Sequence, residues 1–444
     1  MWYSNSANGT EKLAAFDYIS MAMIKLTGQK DPGNNKFLLK KAAEKNSELL
    51  VSAVANYSKL HQELFGKYDG ELMHRPAPYL FYHNISGTFN EFLVRENLTI
   101  LTPLLELLHT ARGYGYLDEV GAIYGLMWNT PELVISAALR LLEADESPYS
   151  FYAFKQGFEK IWNTIVEKEN LDIQYNINIV NIARSHYGTY VDYTIGDSVY
   201  LKIEWCDFLI WTPPMTEMLK VLSTAASPEE HQYFGHLKAD IYSVSIMRSN
   251  SPSEEEANTY YRESFANKTN NHGVIEDLNI VNVFDGPRRL RKKRSWGNFI
   301  NSKRFQRKNR RGKKLGRGSR RKGKQNPLRG QDDAENTIKI IYQIGRNYSN
   351  EAELNQIATK HYGEGFGFTD IKLFNTISWP YFYRWNAYEA MKGNHWDVFS
   401  LQGLYRTWYA GSSVCFESVK SVLEYNNLLL RHCMYDHDNN YAFP

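Results

Sequence analysis

The chain reads as an α/β protein with an α+β part, and three stretches predict this. Residues 11–142 place apolar side chains at helical spacing. Residues 157–214 read as a helix followed by a meander of strands ending at two prolines. Residues 404–430 read as a strand, a turn of small residues and a helix.

In the first stretch, Leu13, Phe16, Ile19, Met23 and Leu26 form one apolar stripe, and Leu39 to Leu64 a second, longer helix. Ser86 precedes a third helix that turns Phe89, Phe92 and Leu93 inward, and Pro103 opens a fourth, Leu104 to His109. Thr130-Pro131-Glu132 is a helix start, with a capping hydroxyl, proline at the first helical position and an acid in the first turn; that helix runs to Leu142. Arg112 to Tyr116 and Ala122 to Tyr124 read as an aromatic-rich connector.

The second stretch gives a short helix ending near Glu169, then a strand through Ile173, Asn176, Ile179 and Ile182. A turn at Gly188, a strand Tyr190 to Thr194, a turn at Gly196-Asp197 and a strand from Val199 lead to Cys206–Pro214. Further strands are expected at Ile241–Met247, Val274–Val283 and Thr337–Ile344. Residues 345–377 read as a helix, a glycine-rich loop and a strand, which lead into Ser378-Trp-Pro-Tyr-Phe-Tyr-Arg-Trp385.

In the third stretch Leu404–Tyr409 is the strand and Ala410-Gly411-Ser412-Ser413 the turn. Phe416, Val419, Val422, Leu423, Leu429 and Leu430 make the helix stripe, with Glu417 in its first turn. Free N–H groups and the positive helix end at such a turn make a ready anion site. An ordinary buried strand–helix unit fits the same residues.

The 444 residues, 43% hydrophobic and 14% aromatic, are enough for two or three domains with sizeable cores. The net charge of +3 hides one segment. Residues 287–330 hold 20 Lys or Arg and no acid, which leaves 32 basic against 49 acidic residues elsewhere, a net of −17. An acidic globular protein with a basic, aperiodic and expectedly disordered insert is the result. The insert suits nucleic acid or an anionic surface, a localisation or processing signal at Arg291–Arg294, or a solvated insertion. Few aromatic residues accompany it (Trp296, Phe299, Phe305), which disfavours single-strand recognition. Cys206, Cys415 and Cys433 make no disulfide framework and lean towards a reducing, cytoplasmic setting. Six Asn-x-Ser/Thr sites occur in this Asn-rich chain, as chance allows, and no apolar run approaches the ~18 residues of a membrane span.

Two of the stretches resemble the flavin-dependent amine oxidase family, close to the branch of fatty-acid double-bond isomerases. Asn176, Ile179, Ile182, Asp207, Ile210 and Pro213 fall in register with that family's helix, strand and meander. Trp379, Tyr381 and Phe382 fall on its aromatic cluster, and Tyr409, Gly411, Phe416 and Glu417 on its closing turn and helix. Where amine oxidases place Glu after the Ala-Gly pair, this chain has Ser412. The resemblance implies a two-domain FAD-binding fold, with residues 146–215 and 395–444 in the FAD domain and 1–145 and 216–394 in the substrate domain. It implies FAD as cofactor, an adenine contact from the main chain at Ile179, and further cofactor contacts at Pro213, Trp379, Tyr409, Gly411, Ser412, Phe416 and Glu417. Trp379, Tyr381, Trp408 and Tyr409 are the implied walls of the flavin ring. Tyr114, Tyr116, Tyr124 and Tyr381 are candidates for the substrate pocket, although each also suits a plain core.

The implied reaction is hydride abstraction from an amine or unsaturated lipid, or flavin-assisted double-bond isomerisation. Flavin chemistry asks the protein mainly to position the substrate, so no acid–base motif is expected from sequence. The G-x-G-x-x-G unit that holds the FAD pyrophosphate is missing; Gly363-x-Gly365-x-Gly367 has neither its spacing nor a helix after it. The family's N-terminal unit is therefore expected to be lacking. No nucleophile elbow, zinc-binding H-E-x-x-H or P-loop occurs, and Asp436-His437-Asp438 reads as a polar tail. A non-catalytic oxidase scaffold that binds anionic partners through the insert is the alternative from another class.

Overall fold

The computed structural model describes residues 12–13, 36–66, 84–141, 154, 156–222, 225–250, 259–261, 273–279, 336–364 and 368–431. The basic segment 287–330, the Leu13–Leu26 stripe beyond its first residue, Gly365, Gly367 and the Asp436–Asp438 run lie outside them.

Among the described residues, helical periodicity and caps produce a first layer of five helices: α1 (Lys36–Phe65), α2 (Phe89–Arg95), α3 (Thr102–His109), α4 (Ala122–Trp128) and α5 (Pro131–Leu141). Thr88 and Glu91 close a reciprocal capping box at the start of α2, and Pro103 sits at the start of α3, where no N–H partner is needed. Phe89 and Phe92 are wholly buried from α2, each contributing about 1.5–3 kcal/mol of apolar burial. Ala122-Ile123-Tyr124, expected in a connector, is the opening of α4. Its apolar side chains are buried, and Gly125 lets Phe89 lie flat on the helix: a Cβ there would fall 2.2 Å from the ring.

After α6 (Glu159–Glu169) come α7 (Met215–Leu222), α8 (Pro228–Phe234), α9 (Glu351–Thr359), α10 (Ala387–Met391) and, following a four-residue turn Asn394–Asp397, α11 (Val419–Leu429). Ser227 with Glu230 and Asn350 with Glu353 repeat the capping box on α8 and α9. The last helix begins later than its apolar spacing predicts. Ser418 caps it by accepting from the Ser421 N–H, so Phe416 and Glu417 lie before the helix, not in its first turn.

The strands are β1 (Lys12–Leu13), β2 (Ile177–Arg184), β3 (Thr189–Ile195), β4 (Lys202–Cys206), β5 (Leu209–Trp211), β6 (Lys238–Asn250), β7 (Thr259–Tyr261), β8 (Gly273–Asn279), β9 (Asn336–Gly345), β10 (Thr369–Arg384) and β11 (Thr407–Tyr409). They form an antiparallel sheet in the order β1-β7-β8-β9-β6-β10, an antiparallel meander β2-β3-β4, and a parallel pair β11-β5. Leu13, assigned to a helical stripe by its spacing, pairs with Tyr260 instead. Leu404–Arg406, expected to extend the last strand, forms a tight turn with Tyr405 and Arg406 in left-handed backbone, which leaves only Thr407–Tyr409 as strand.

The aromatic stretch 378–385 continues β10. Trp379 pairs with Tyr242 and Tyr381 with Asp240, and a bulge follows before Arg384 pairs with Lys238. Within the bulge Phe382 has φ +58, so it leaves the strand alternation and enters the main core. Tyr381 stays on the sheet face turned to the helical layer. That face carries Tyr242, Ile344 and Trp379; the opposite face packs Met247 and Ile341 against Leu354, Tyr362 and Phe368.

Candidate functional site

Three elements converge on the turn after β11. Parallel pairing with β5 continues past the strand, with the Ala410 N–H donating to the Trp211 carbonyl at 2.9 Å. Gly411 then takes φ +96, and a Cβ there would meet the Thr212 carbonyl oxygen at 2.6 Å, so the turn needs glycine twice over. The free edge of β11 is sealed by the Gln402 side chain. Its amide donates to the Tyr409 carbonyl and its oxygen accepts from the Tyr409 N–H, both at 2.8 Å, while the same amide donates to the Tyr425 hydroxyl. In this strand and turn, Trp408 Nε1 and Ser413 Oγ are buried without a hydrogen-bond partner. Unmet buried donors are costly and are a feature to explain.

Beyond the turn, Phe416 enters an aromatic cluster drawn from four segments. Tyr114 is its hub: its ring lies 4.7 Å from Trp128, 5.2 Å from Phe416, 5.2 Å from Phe382 and 5.9 Å from Tyr381, the last stacked at 22°. Tyr381 continues to Tyr242 at 5.1 Å, and Trp379 meets Tyr242 edge-on. The close approach of the 113–116 loop to this sheet face requires Gly113, whose φ is +82; a Cβ would fall 2.7 Å from the Tyr242 ring. The Tyr114 hydroxyl donates to the Glu417 carbonyl at 3.0 Å, tying the helical layer to the turn.

Electrostatics are uneven across this region. Burial raises the Glu417 carboxyl, while the Ser412 hydroxyl works against it. Burial pushes Tyr114 up to about 12, and raises Tyr381 further, with Tyr114 and Glu417 adding to the shift. Burial and the Glu119 and Asp240 carboxylates take Tyr116 to about 12. Other acids nearby are neutralised: Asp240 accepts from Arg384 at 2.7 Å, and Glu119 pairs with Arg346.

The site residues expected from sequence divide. Tyr114, Tyr381, Trp379, Phe416, Glu417, Ser412 and Gly411 are brought into one neighbourhood. Tyr409 is not an open wall. It is wholly buried, and its hydroxyl joins the Arg184–Glu230 ion pair, accepting from Arg184 at 2.9 Å and donating to Glu230. Arg184 and Glu230 bond through both pairs of side-chain atoms, at 2.7 and 2.8 Å, a geometry that locks β2, α8 and β11 together. Tyr124 is likewise a core residue, its hydroxyl accepting from the Trp385 N–H at 2.9 Å. Ile179 is half-buried on β2, an edge strand, and Pro213 is exposed just before α7. Tyr116 is half-buried beside Glu119 and Arg346, one residue from the cluster.

Tyr242, Trp128 and Gln402 were not anticipated, and Ser413 was expected in the turn but not among the cofactor residues. Tyr242 had a signal, since it alternates with Val244 and Ile246 on a predicted strand; Gln402 had none. Among the described residues no group of three or more His, Cys, Asp or Glu is placed to hold a metal ion, and no helix is long and apolar enough to cross a membrane.

No protein-family model matches the sequence, and no curated protein matches it. Solved structures do. A CLA-producing fatty acid isomerase from P. acnes superposes with a TM-score of 0.61 at 17% identity, over 97% of this chain and 87% of that one. Putrescine oxidase bound to putrescine gives 0.45 at 9% identity, over 95% and 87%. Cyclohexylamine oxidase from Brevibacterium oxydans IH-35A gives 0.38 at 9%, over 89% and 74%. The likeness to the isomerase shows the fold; the two lower scores add no argument.

Proposed function

We propose that the chain is a flavin-dependent oxidoreductase or isomerase of the amine-oxidase-like class, acting on an amine or an unsaturated lipid. One observation carries the reading: an aromatic cluster from four segments meets a strand–turn unit that holds two buried donors without partners. The fold of the fatty acid isomerase and the register of Asn176, Ile179, Ile182, Asp207 and Ile210 support it. FAD, when bound, supplies the hydride acceptor.

The residues present fit the ring end of that cofactor. Ser413 Oγ and Trp408 Nε1 lack the acceptors that a flavin's polar edge offers, and Gly411 keeps the turn bare of a side chain. Ser412, Phe416 and Glu417 would border it from the turn, and Ile179 and Pro213 would serve its far end. Tyr114, Tyr381 and Trp379 would hold the substrate and exclude water from it, since aromatic faces accept either an alkyl chain or a cation. The test is flavin retention. The purified chain, mixed with FAD and desalted, should keep flavin absorbance, and Ser413→Ala should lower that retention. A colourless protein after desalting rejects the reading.

A second reading has its own observation, the 20 basic and no acidic residues of 287–330. It makes the chain a non-catalytic scaffold for anionic partners, and predicts salt-sensitive binding to nucleic acid that vanishes when the segment is deleted.

A further inference from the structure

We propose that a second copy of this chain pairs onto the free edge of β4, antiparallel and with Ile203 on the two-fold axis. The two three-stranded meanders then join into one continuous sheet. The inference stands apart from the flavin reading and takes nothing from it. The order of charges along the strand selects the partner. Ile203 faces its own copy, Lys202 faces the partner's Glu204, and Glu204 faces the partner's Lys202.

Placement comes first. β4 is the outer strand of the meander: β3 fills one side of it, and among the described residues no strand pairs with the other. The opposite edge, β2, packs against α7. Every residue from Lys202 to Trp205 is exposed. An edge strand that is open and apolar is a template for another strand. Its outer face is fixed in place. Trp205 meets Tyr190 across the sheet at 4.5 Å, and its ring covers the turn at Gly188, where a Cβ would fall 2.3 Å away. Ile203 shares that face by alternation, and Leu201 continues it beyond the strand. The other face carries Lys202 and Glu204. There the Tyr193 hydroxyl donates to the Glu204 carboxylate at 3.1 Å, which holds the acid along the strand edge. Among the described residues neither Lys202 nor Glu204 forms an ion pair.

Register comes second. When a strand pairs with its own copy about a two-fold axis, one residue faces itself and fixes every other pair. A centre between two residues would oppose side chains from different faces. A centre at Lys202 or at Glu204 would set like charges directly opposite, which is destabilising. Only a centre at Ile203 gives two opposite-charge pairs, and it also sets Leu201 against the partner's Trp205 in both directions. Size comes third. A stable interface takes about 600–1,000 Å² from each partner. Leu201, Ile203, Trp205 and Tyr190, with Tyr187 and Tyr200 beside them, are between 44% and 82% exposed and offer an apolar surface of that order.

The experiment uses the whole chain. Sedimentation velocity from about 1 to 100 μM should show a monomer–dimer equilibrium. Lys202→Glu and Glu204→Lys, each placing like charges across the axis, should each weaken the dimer by roughly tenfold or more. The double exchange of both residues should restore it. In a Cys206→Ser background, Ile203→Cys should form a disulfide between copies under mild oxidation, because facing residues lie about 4.5–5.5 Å apart. Lys202→Cys should not, since its two copies would sit diagonally at ~7–8 Å. Should the double exchange stay monomeric, the Ile203→Cys cross-link decides. A chain that stays monomeric throughout overturns the proposal. So does a dimer that is indifferent to both single reversals, or one that cross-links through Lys202→Cys instead of Ile203→Cys. Association that disappears on deleting 287–330, but not in Lys202→Glu, assigns self-association to the basic segment and overturns it as well. Far-UV circular dichroism separates these outcomes from misfolding.

Discussion

At the scale of single residues the structure is held by a few side chains whose loss should be visible. Gly411→Ala places a Cβ against the Thr212 carbonyl and forces φ +96 on a residue that resists it. We expect a loss of about 1–3 kcal/mol in denaturant unfolding. Glu230→Ala should cost more, about 3–5 kcal/mol, because it strands the buried Arg184 guanidinium. His109 and His395 give an acid sensitivity of defined sign. Burial lowers them to about 3 and about 4, and Arg384 adds to the depression at His109. Both stay neutral in the folded chain while the unfolded chain binds protons below the ordinary histidine value. Their contribution is therefore complete above about pH 6.5 and is lost as pH falls towards their folded values, at about 1.4 kcal/mol per pH unit for each. Melting temperatures between pH 7 and 5 should fall less steeply in His109→Leu; an identical slope would count against this account.

Whole elements differ in how firmly they are seated. α2 and α4 are fixed by Phe89, Phe92 and Tyr124, whereas α6 buries no residue at all and leaves Phe158 and Trp162 exposed beside its apolar stripe. Trp162→Ser should thus change stability by no more than about 0.5 kcal/mol, and a loss above about 2 kcal/mol would show that something covers this face. β11 is the opposite case. It is three residues long, yet Gln402 satisfies both main-chain groups of Tyr409 on the side away from β5. Gln402→Leu leaves a buried N–H and a buried carbonyl unpaired. The expected cost is about 2–4 kcal/mol in the same unfolding experiment, with parallel loss of the near-UV signal of Trp408.

For the molecule as a whole, charge is segregated along the sequence. Removing 287–330 converts a net +3 chain into one of −17. Retention on an anionic matrix at low salt should therefore depend wholly on that segment and fall steeply as salt rises. Equal retention of the deleted chain would place the binding elsewhere. Flavin retention should be indifferent to the deletion, because the residues that fit the flavin ring come from β11 and the turn after it, outside the segment.

How much of this was legible depends on whether a signal is local. Capping residues, prolines and apolar spacing located α1, α2, α3 and α5, although α1 starts at Lys36 rather than Leu39, α2 is capped by Thr88 rather than preceded directly by Ser86, and α3 starts at Thr102; helix termini are decided by groups three or four positions apart. Alternation and turn glycines located β2, β3, β6 and β9 for the same reason. The motifs that resemble flavin enzymes brought Tyr114, Tyr381, Phe416 and Glu417 into consideration, but not their meeting. That is a matter of long-range packing. The bulge that sends Phe382 into the core, the side-chain amide that finishes β11, and the ion pair that takes Tyr409 out of any open wall are invisible to spacing. The sequence by itself determined which segments are helix or strand and where charge resides, since those follow from neighbours in the chain. Only the tertiary structure decided which aromatic residues are core and which border the turn, since each depends on groups hundreds of residues away.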